Sequence, residues 1–172
     1  MDAEIPEVHH YRTADLEGIV QLMDLAFGGV GSAEGRLVRD LVADGALLAP
    51  LTMVQRTADG QLLGACVMSR GMAGGAPAVA LGPLGVHPEH RTQGHGARLV
   101  SASLSAARRH GERLVALLGR PGYYHRFGFV SAVEVGIVAP EPSWVANFQA
   151  IVLSPDAPKG TFSYPAAFDA LS

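Results

Sequence analysis

Leu84-Gly85-Val86-His87-Pro88-Glu89-His90-Arg91-Thr92-Gln93-Gly94-His95-Gly96-Ala97-Arg98-Leu99-Val100 is the run from which the architecture of this 172-residue chain is read. An apolar, extended stretch reaches Val86, turns at Pro88, passes Arg91 and two glycines, and opens a helix whose apolar positions Ala97, Val100, Leu104 and Ala107 share one face. The pattern predicts a strand, a glycine turn and a helix N-terminus. Unpaired N–H groups at that helix start, with the positive end of its dipole, suit a phosphate-bearing ligand. Gly94 and Gly96 put no Cβ between ligand and backbone, and Arg91 is a charge-assisted donor beside them.

Three phosphate loops compete for this stretch. A Walker loop needs a Gly-Lys-Ser/Thr ending, which the chain lacks. A dinucleotide fold asks for G-x-G-x-x-G; Leu99 occupies the third glycine position, which weakens that reading without removing it. What remains is R-x-x-G-x-G, Arg91 to Gly96, after Val-His-Pro and before an amphipathic helix. Farther on, Gly122-Tyr123-Tyr124-His125-Arg126-Phe127-Gly128-Phe129 sets a tyrosine four residues before a Gly-Phe pair.

The two motifs in this order resemble the GCN5-related N-acetyltransferases (GNAT), in the subgroup whose second motif reads Tyr-Tyr-x-Arg-Phe-Gly-Phe. The resemblance spans about Val8 to Ala132. It implies an α/β fold with a mixed, mostly antiparallel central sheet, one splayed parallel strand pair and flanking helices. It also implies acetyl coenzyme A as cosubstrate and no metal. The pyrophosphate would lie on Arg91, Thr92, Gln93, Gly94, His95, Gly96 and Ala97, and the pantetheine arm along Leu84, Gly85 and Val86. Thr92 stands where a glycine often follows the arginine, and His95 where an aliphatic residue is usual; both bear on affinity more than on ligand identity.

At 48% hydrophobic residues, the length suits one domain over residues 1–172, with final strands and a C-terminal tail after 132. A formal net charge of -3 argues against nucleic-acid binding. Cys66 is the single cysteine, so no internal disulfide forms; with no signal peptide or long apolar span read, a cytoplasmic, membrane-free protein is expected. Dimers are common among relatives, so a homodimer is compatible.

The remaining elements are read from spacing. Val8–Arg12 is a strand, and Thr13 caps a helix from Ala14 that Gly28 and Gly29 stop; Ser32 caps a second helix to about Ala43. In the family this helix pair walls the acceptor cleft, so Met23, Phe27 and Leu37 are either substrate-facing or, the better-supported reading, core. Ala58-Asp59-Gly60 joins two antiparallel strands, Leu51–Arg56 and Gln61–Ser69. Gly71–Pro77 reads as a loop, and Ala76–Val86 as a strand interrupted by Gly82-Pro83. That interruption marks either an edge strand or the family's splay, where the pantetheine pairs with freed backbone at Leu84 to Val86. Arg113–Leu118 is a buried strand parallel to it, Pro121–Phe127 a short helix, and Gly128-Phe129-Val130 starts a further strand. Phe148–Leu153 and Tyr164–Phe168 suggest a final hairpin and tail, with Trp144 equally a packing anchor or a substrate contact.

The resemblance makes Tyr124, four residues before Gly128, the general acid that protonates the departing thiolate, leaving Tyr123 to pack. A backbone N–H near Val86 would stabilise the oxyanion. The strand Ala76–Val86 carries no acid to serve as base; Glu17, Asp24, Glu34 and His87 stand as unassigned candidates, with a water chain as the other route for the proton. His87, His90 and His95 lack a zinc-protease arrangement, and Cys66 reads as a small buried residue. The expected activity is acetyl transfer to a primary amine of a small molecule or peptide. The rivals are a non-catalytic acyl coenzyme A sensor and a dinucleotide-dependent oxidoreductase.

Overall fold

The computed structural model describes residues 5–171. In chain order it contains β1 (Val8–His10), α1 (Leu16–Ala26), α2 (Ala33–Ala43), β2 (Met53–Arg56), β3 (Leu62–Ala73), β4 (Ala76–Val86) and α3 (His95–Arg109). These are followed by β5 (Leu114–Leu118), α4 (Pro121–Tyr124), β6 (Val130–Ser131), β7 (Ile137–Val138), β8 (Phe148–Val152) and β9 (Gly160–Ser163). Residues 1–4 and 172 of the expected domain lie outside the described residues. Among those described, no helix is long and apolar enough to cross a membrane.

The β3–β4 hairpin is the spine. Its turn is only Gly74-Gly75, both at positive φ (55° and 81°), as a two-residue hairpin requires. The loop expected over Gly71–Pro77 is therefore shorter: Gly71 to Ala73 stay in β3, and Ala76 and Pro77 begin β4. Gly71 keeps its place because the Phe162 ring lies 2.7 Å from where a Cβ would stand. The sheet order is β1-β2-β3-β4-β5-β8-β6, with β9 on the far end of β3 and β7 beside β9. All pairs are antiparallel except β4–β5 and the short β7–β9.

β4 lies between β3 and β5, so the edge-strand alternative is overturned. The β4–β5 ladder holds just two pairs, Val79 with Val115 and Ala80 with Ala116; beyond it the strands part. Against β3, the register slips between Leu81 and Leu84, where Gly82-Pro83 bulges. That slip and the short ladder are the predicted splay.

Alternation along β3 sends Cys66 and Met68 to one face and Ala65 and Val67 to the other, all wholly buried. α3 covers the first face with Leu99, Val100 and Leu104; α1 and α2 cover the second with Ile19, Leu22, Met23, Leu37, Val38 and Leu41. Met23 is thus core, as the better-supported reading held; Leu37 is buried in the same cluster and also borders a hollow beside the bulge, whereas Phe27 is 42% exposed. Two boundaries differ from expectation. Thr13 caps nothing: it starts a 3-10 turn, closed by the Arg12 N–H on Asp15 Oδ2 at 2.8 Å, and α1 follows from Leu16. β9 pairs with β3 and β7 rather than with β8, so no final hairpin forms. After β9, a 3-10 turn over Ala166–Leu171 lays Ala167 and Phe168 against the α1–α2 layer.

Candidate active site

The glycine turn delivers what the sequence promised locally. Gly94 caps α3 at φ 83°, and the Arg98 N–H is the first to find a helical acceptor, Gly94 O at 3.2 Å. The N–H groups of 95–97 precede it at the helix end, where no intrahelical acceptor exists. A cavity of about 330 Å³ opens there, lined by Leu84, Val86, Arg91, Thr92, Gly94, His95, Gly96 and Ala97, with His90, Tyr123 and Arg126 across it. Eight of the expected binding residues therefore share one hollow.

The other two look elsewhere. Gly85 faces α1, where a Cβ would stand 2.7 Å from Met23 Sδ. Gln93 turns to the neighbouring surface, its Oε1 3.2 Å from His95 Nε2. His95 is 6% exposed, with Nδ1 buried and unpartnered among the described residues. Desolvation, and then the nearby Arg98 and His90, push its pKa below the usual histidine value, so the ring is neutral at pH 7. Arg91 Nη2 donates to Ala26 O at 2.9 Å, which ties the loop to the end of α1 and aims the guanidinium along the cavity rim.

The splayed strand exposes backbone in a definite pattern. His87 N–H donates to Leu63 O at 2.7 Å, so residues 87 and 85 spend their polar groups on β3. In an antiparallel ladder the intervening residues point the other way. Leu84 and Val86 therefore turn their N–H and C=O groups into the gap towards β5, where the ladder has already ended.

The adjacent tyrosines take different roles in space. Tyr123 lines the cavity, its hydroxyl 2.9 Å from where a Gly96 Cβ would be, with Arg126 stacked 4.6 Å above its ring. Tyr124 packs against the α3-side core, 5.9 Å from the Phe129 ring and tight over Gly119. Burial first, then Cys66 and Tyr123, raise its pKa well above the ordinary phenol, so it keeps its proton. The sequence assigned packing to Tyr123; its place on the cavity wall was missed. A sign was available in its spacing, three residues before Arg126, which sets the two side chains over one another.

Cys66 is wholly buried, and burial pushes its thiol up to about 12 against a smaller opposing effect of the Ser103 hydroxyl. It is no nucleophile at neutral pH. His87, Glu89 and His90 bring one donor atom each within 4.8 Å of one another at this turn, with Glu89 exposed. His87 Nδ1 there accepts the Glu89 N–H at 3.2 Å. Leu99, at the third position of the dinucleotide pattern, is buried with its Cδ1 2.7 Å from where a Gly64 Cβ would stand. The close approach of helix to sheet is thus made by a glycine on β3.

Comparison with known proteins agrees with this geometry. The acetyltransferase (GNAT) domain family matches residues 52–131. The chain is 33% identical over 148 residues to the uncharacterized N-acetyltransferase YhbS of Escherichia coli, covering 85% of this chain and 86% of that protein. It is 32% identical over 145 residues to the uncharacterized E. coli N-acetyltransferase YjhQ, covering 78% of each. Among solved structures, E. coli YhbS in complex with CoA superposes with a TM-score of 0.89 at 28% identity, over 98% of this chain and 95% of that one. A GNAT family acetyltransferase from Brucella melitensis in complex with acetyl-CoA gives 0.78 at 34% identity, over 95% and 97%.

Proposed function

This chain belongs to the GNAT acetyltransferase family, and from that membership we propose that it moves an acetyl group from acetyl coenzyme A to a primary amine by direct attack. The observation that carries the reading is the pairing of an open helix N-terminus at 95–97 with a strand whose free backbone groups face the gap between β4 and β5. In this reading the pyrophosphate lies over residues 91–97, with the loop N–H groups and Arg91 as donors, while Gln93 acts through His95. The pantetheine follows Leu84 to Val86 and takes the place of the missing ladder. The thioester carbonyl then meets a backbone N–H of the splayed strand, which stabilises the oxyanion as the amine attacks.

Tyr124 is the proposed acid. Acyl transfer leaves a thiolate, of reference pKa about 8.5, that needs a proton, and a buried phenol holds one throughout the neutral range. The motif that names the subgroup, Tyr123-Tyr124-His125-Arg126-Phe127-Gly128-Phe129, supplies both this donor and Tyr123 on the cavity wall. The assay is release of free coenzyme A against a panel of amines. Tyr124→Phe is expected to lower kcat by about 10² to 10⁴ while acetyl coenzyme A still binds; unchanged turnover removes the acid role. Tight cofactor binding with no release by any amine would favour a sensor. The dinucleotide rival is disfavoured by a mostly antiparallel sheet and by Leu99.

A further inference from the structure

At the parting of β4 and β5, on the side away from α3, the structure holds a second hollow of about 430 Å³. Leu81, Gly82 and Pro83 of the bulge and Leu118 at the end of β5 form its floor, so it meets the gap itself. Leu37, Trp144, Tyr164, Phe168 and Leu171 form the walls. Leu118 and Leu171 are 44% and 43% exposed, so the hollow presents apolar surface. Glu34, in the first turn of α2, is the single ionisable carboxylate on the lining.

The four acids and bases that the sequence left open are separated by their partners. Glu17 is held by Arg39 through two contacts, at 2.5 and 2.8 Å. Asp24 accepts from the N–H groups of Gly31 and Ser32 and from Ser32 Oγ. His87 lines a different hollow, with Gln21 and Arg56. Glu34 makes no hydrogen bond or ion pair with any described residue, and it faces the splay.

We propose that this hollow receives an amine carrying one cationic nitrogen on an aromatic or branched apolar body, and that Glu34 holds the ammonium and then takes its proton. The inference rests on the acetyl-transfer reading above and specifies its acceptor. A polyamine would bring several charges to a lining that offers one carboxylate, and an amino sugar would bring a ring of hydroxyls that mostly apolar walls leave unpaired. The nearby Glu141 and Asp169 line a separate hollow behind Trp144 and Tyr164. In the transfer, Glu34 takes one proton from the ammonium and passes it to solvent, and the neutral amine adds to the thioester carbon to form the new C–N bond. The adduct gives its second proton to Glu34 as the C–S bond breaks with its electron pair leaving on sulfur; the phenol protonates the thiolate, and solvent then reprotonates the phenolate and takes the proton from Glu34.

Trp144 is the only tryptophan in the chain and stands in the wall, so its fluorescence reports occupancy. The full chain, with and without coenzyme A, is titrated with 2-phenylethylamine and with spermidine, by fluorescence and by calorimetry. Phenylethylamine should bind saturably and at least tenfold more tightly than spermidine, and Glu34→Gln should weaken it at least tenfold. In turnover, Glu34→Gln should lower kcat about 100-fold, Glu34→Asp should recover part of it, and neither should change coenzyme A affinity. Equal or stronger spermidine binding, silence towards phenylethylamine by both methods, or wild-type kcat in Glu34→Gln overturns the inference. Loss of coenzyme A binding in the unmodified chain would instead strike the acetyl-transfer reading, because the unloaded titration reads the hollow independently.

Discussion

Thr92 has φ 65°, the one described residue other than glycine at positive φ. A left-handed conformation costs a side-chain-bearing residue about 1–2 kcal/mol, whereas glycine there costs about 0.5–1 kcal/mol in lost chain freedom. Thr92→Gly should therefore stabilise the protein by up to about 1 kcal/mol, a rise of roughly 2–4 °C in Tm for a chain of this size. Thermal unfolding followed by circular dichroism checks this; a fall would mean that the Thr92 hydroxyl, 2.5 Å from Arg91 O, matters more than the backbone. The residue scale is also where the sequence was least decisive. Tyr123 and Tyr124 are neighbours about 100° apart around one short helix, and only the surfaces of β5 and α3 determine which ring is buried.

Among the elements, those fixed by local chemistry were legible. Ser32 caps α2 by accepting the Gly35 N–H at 2.9 Å, and the helix ending at Arg108-Arg109 stops before Gly111 at positive φ. Elements placed by distant partners were not: β9 joins β3 at Met72 and Ala73, a pairing of positions about ninety residues apart with no turn signal linking them. The α1–α2 junction makes a prediction at this scale. Asp24 receives the Ser32 hydroxyl at 2.6 Å and the Ser32 N–H at 3.0 Å, and these hydrogen bonds hold its carboxyl below the ordinary value of 3.8. Arg39 does the same for Glu17. A carboxyl depressed in the folded state contributes stability that is complete above its unfolded pKa and is lost as pH falls through the folded one. The carboxylate share of Tm should hold from pH 7 to about 5 and be lost below it, on top of a loss that begins in the histidine range, where His95, its pKa lowered by burial, must take up a charge. Asp24→Asn should lower Tm at neutral pH and flatten the acid dependence, which melting curves at several pH values would record.

For the molecule as a whole, the gap between β4 and β5 implies that the folded chain gains stability when its cosubstrate fills it. A ligand bound only by the native state at a hundred times its Kd adds about 2.7 kcal/mol. For a chain of this length that is roughly 5–11 °C in Tm. Acetyl coenzyme A should produce such a shift. Gly96→Asp, whose Cβ would stand 2.9 Å from the Tyr123 hydroxyl and whose charge would oppose a phosphate, should abolish most of it. A full shift in that variant would place the pyrophosphate elsewhere.

The backbone row at Leu84 and Val86 has a further consequence. Hydrogen-bonding groups left open along the rim of a sheet are normally a hazard, since any extended polypeptide can dock there and seed aggregates. Here the row sits inside a slot flanked by strands on both sides. An extended polypeptide meets those strands before it can reach the row, so the liability is shielded, and a slender amide-bearing arm of the kind proposed for the cosubstrate has the shape that suits the slot.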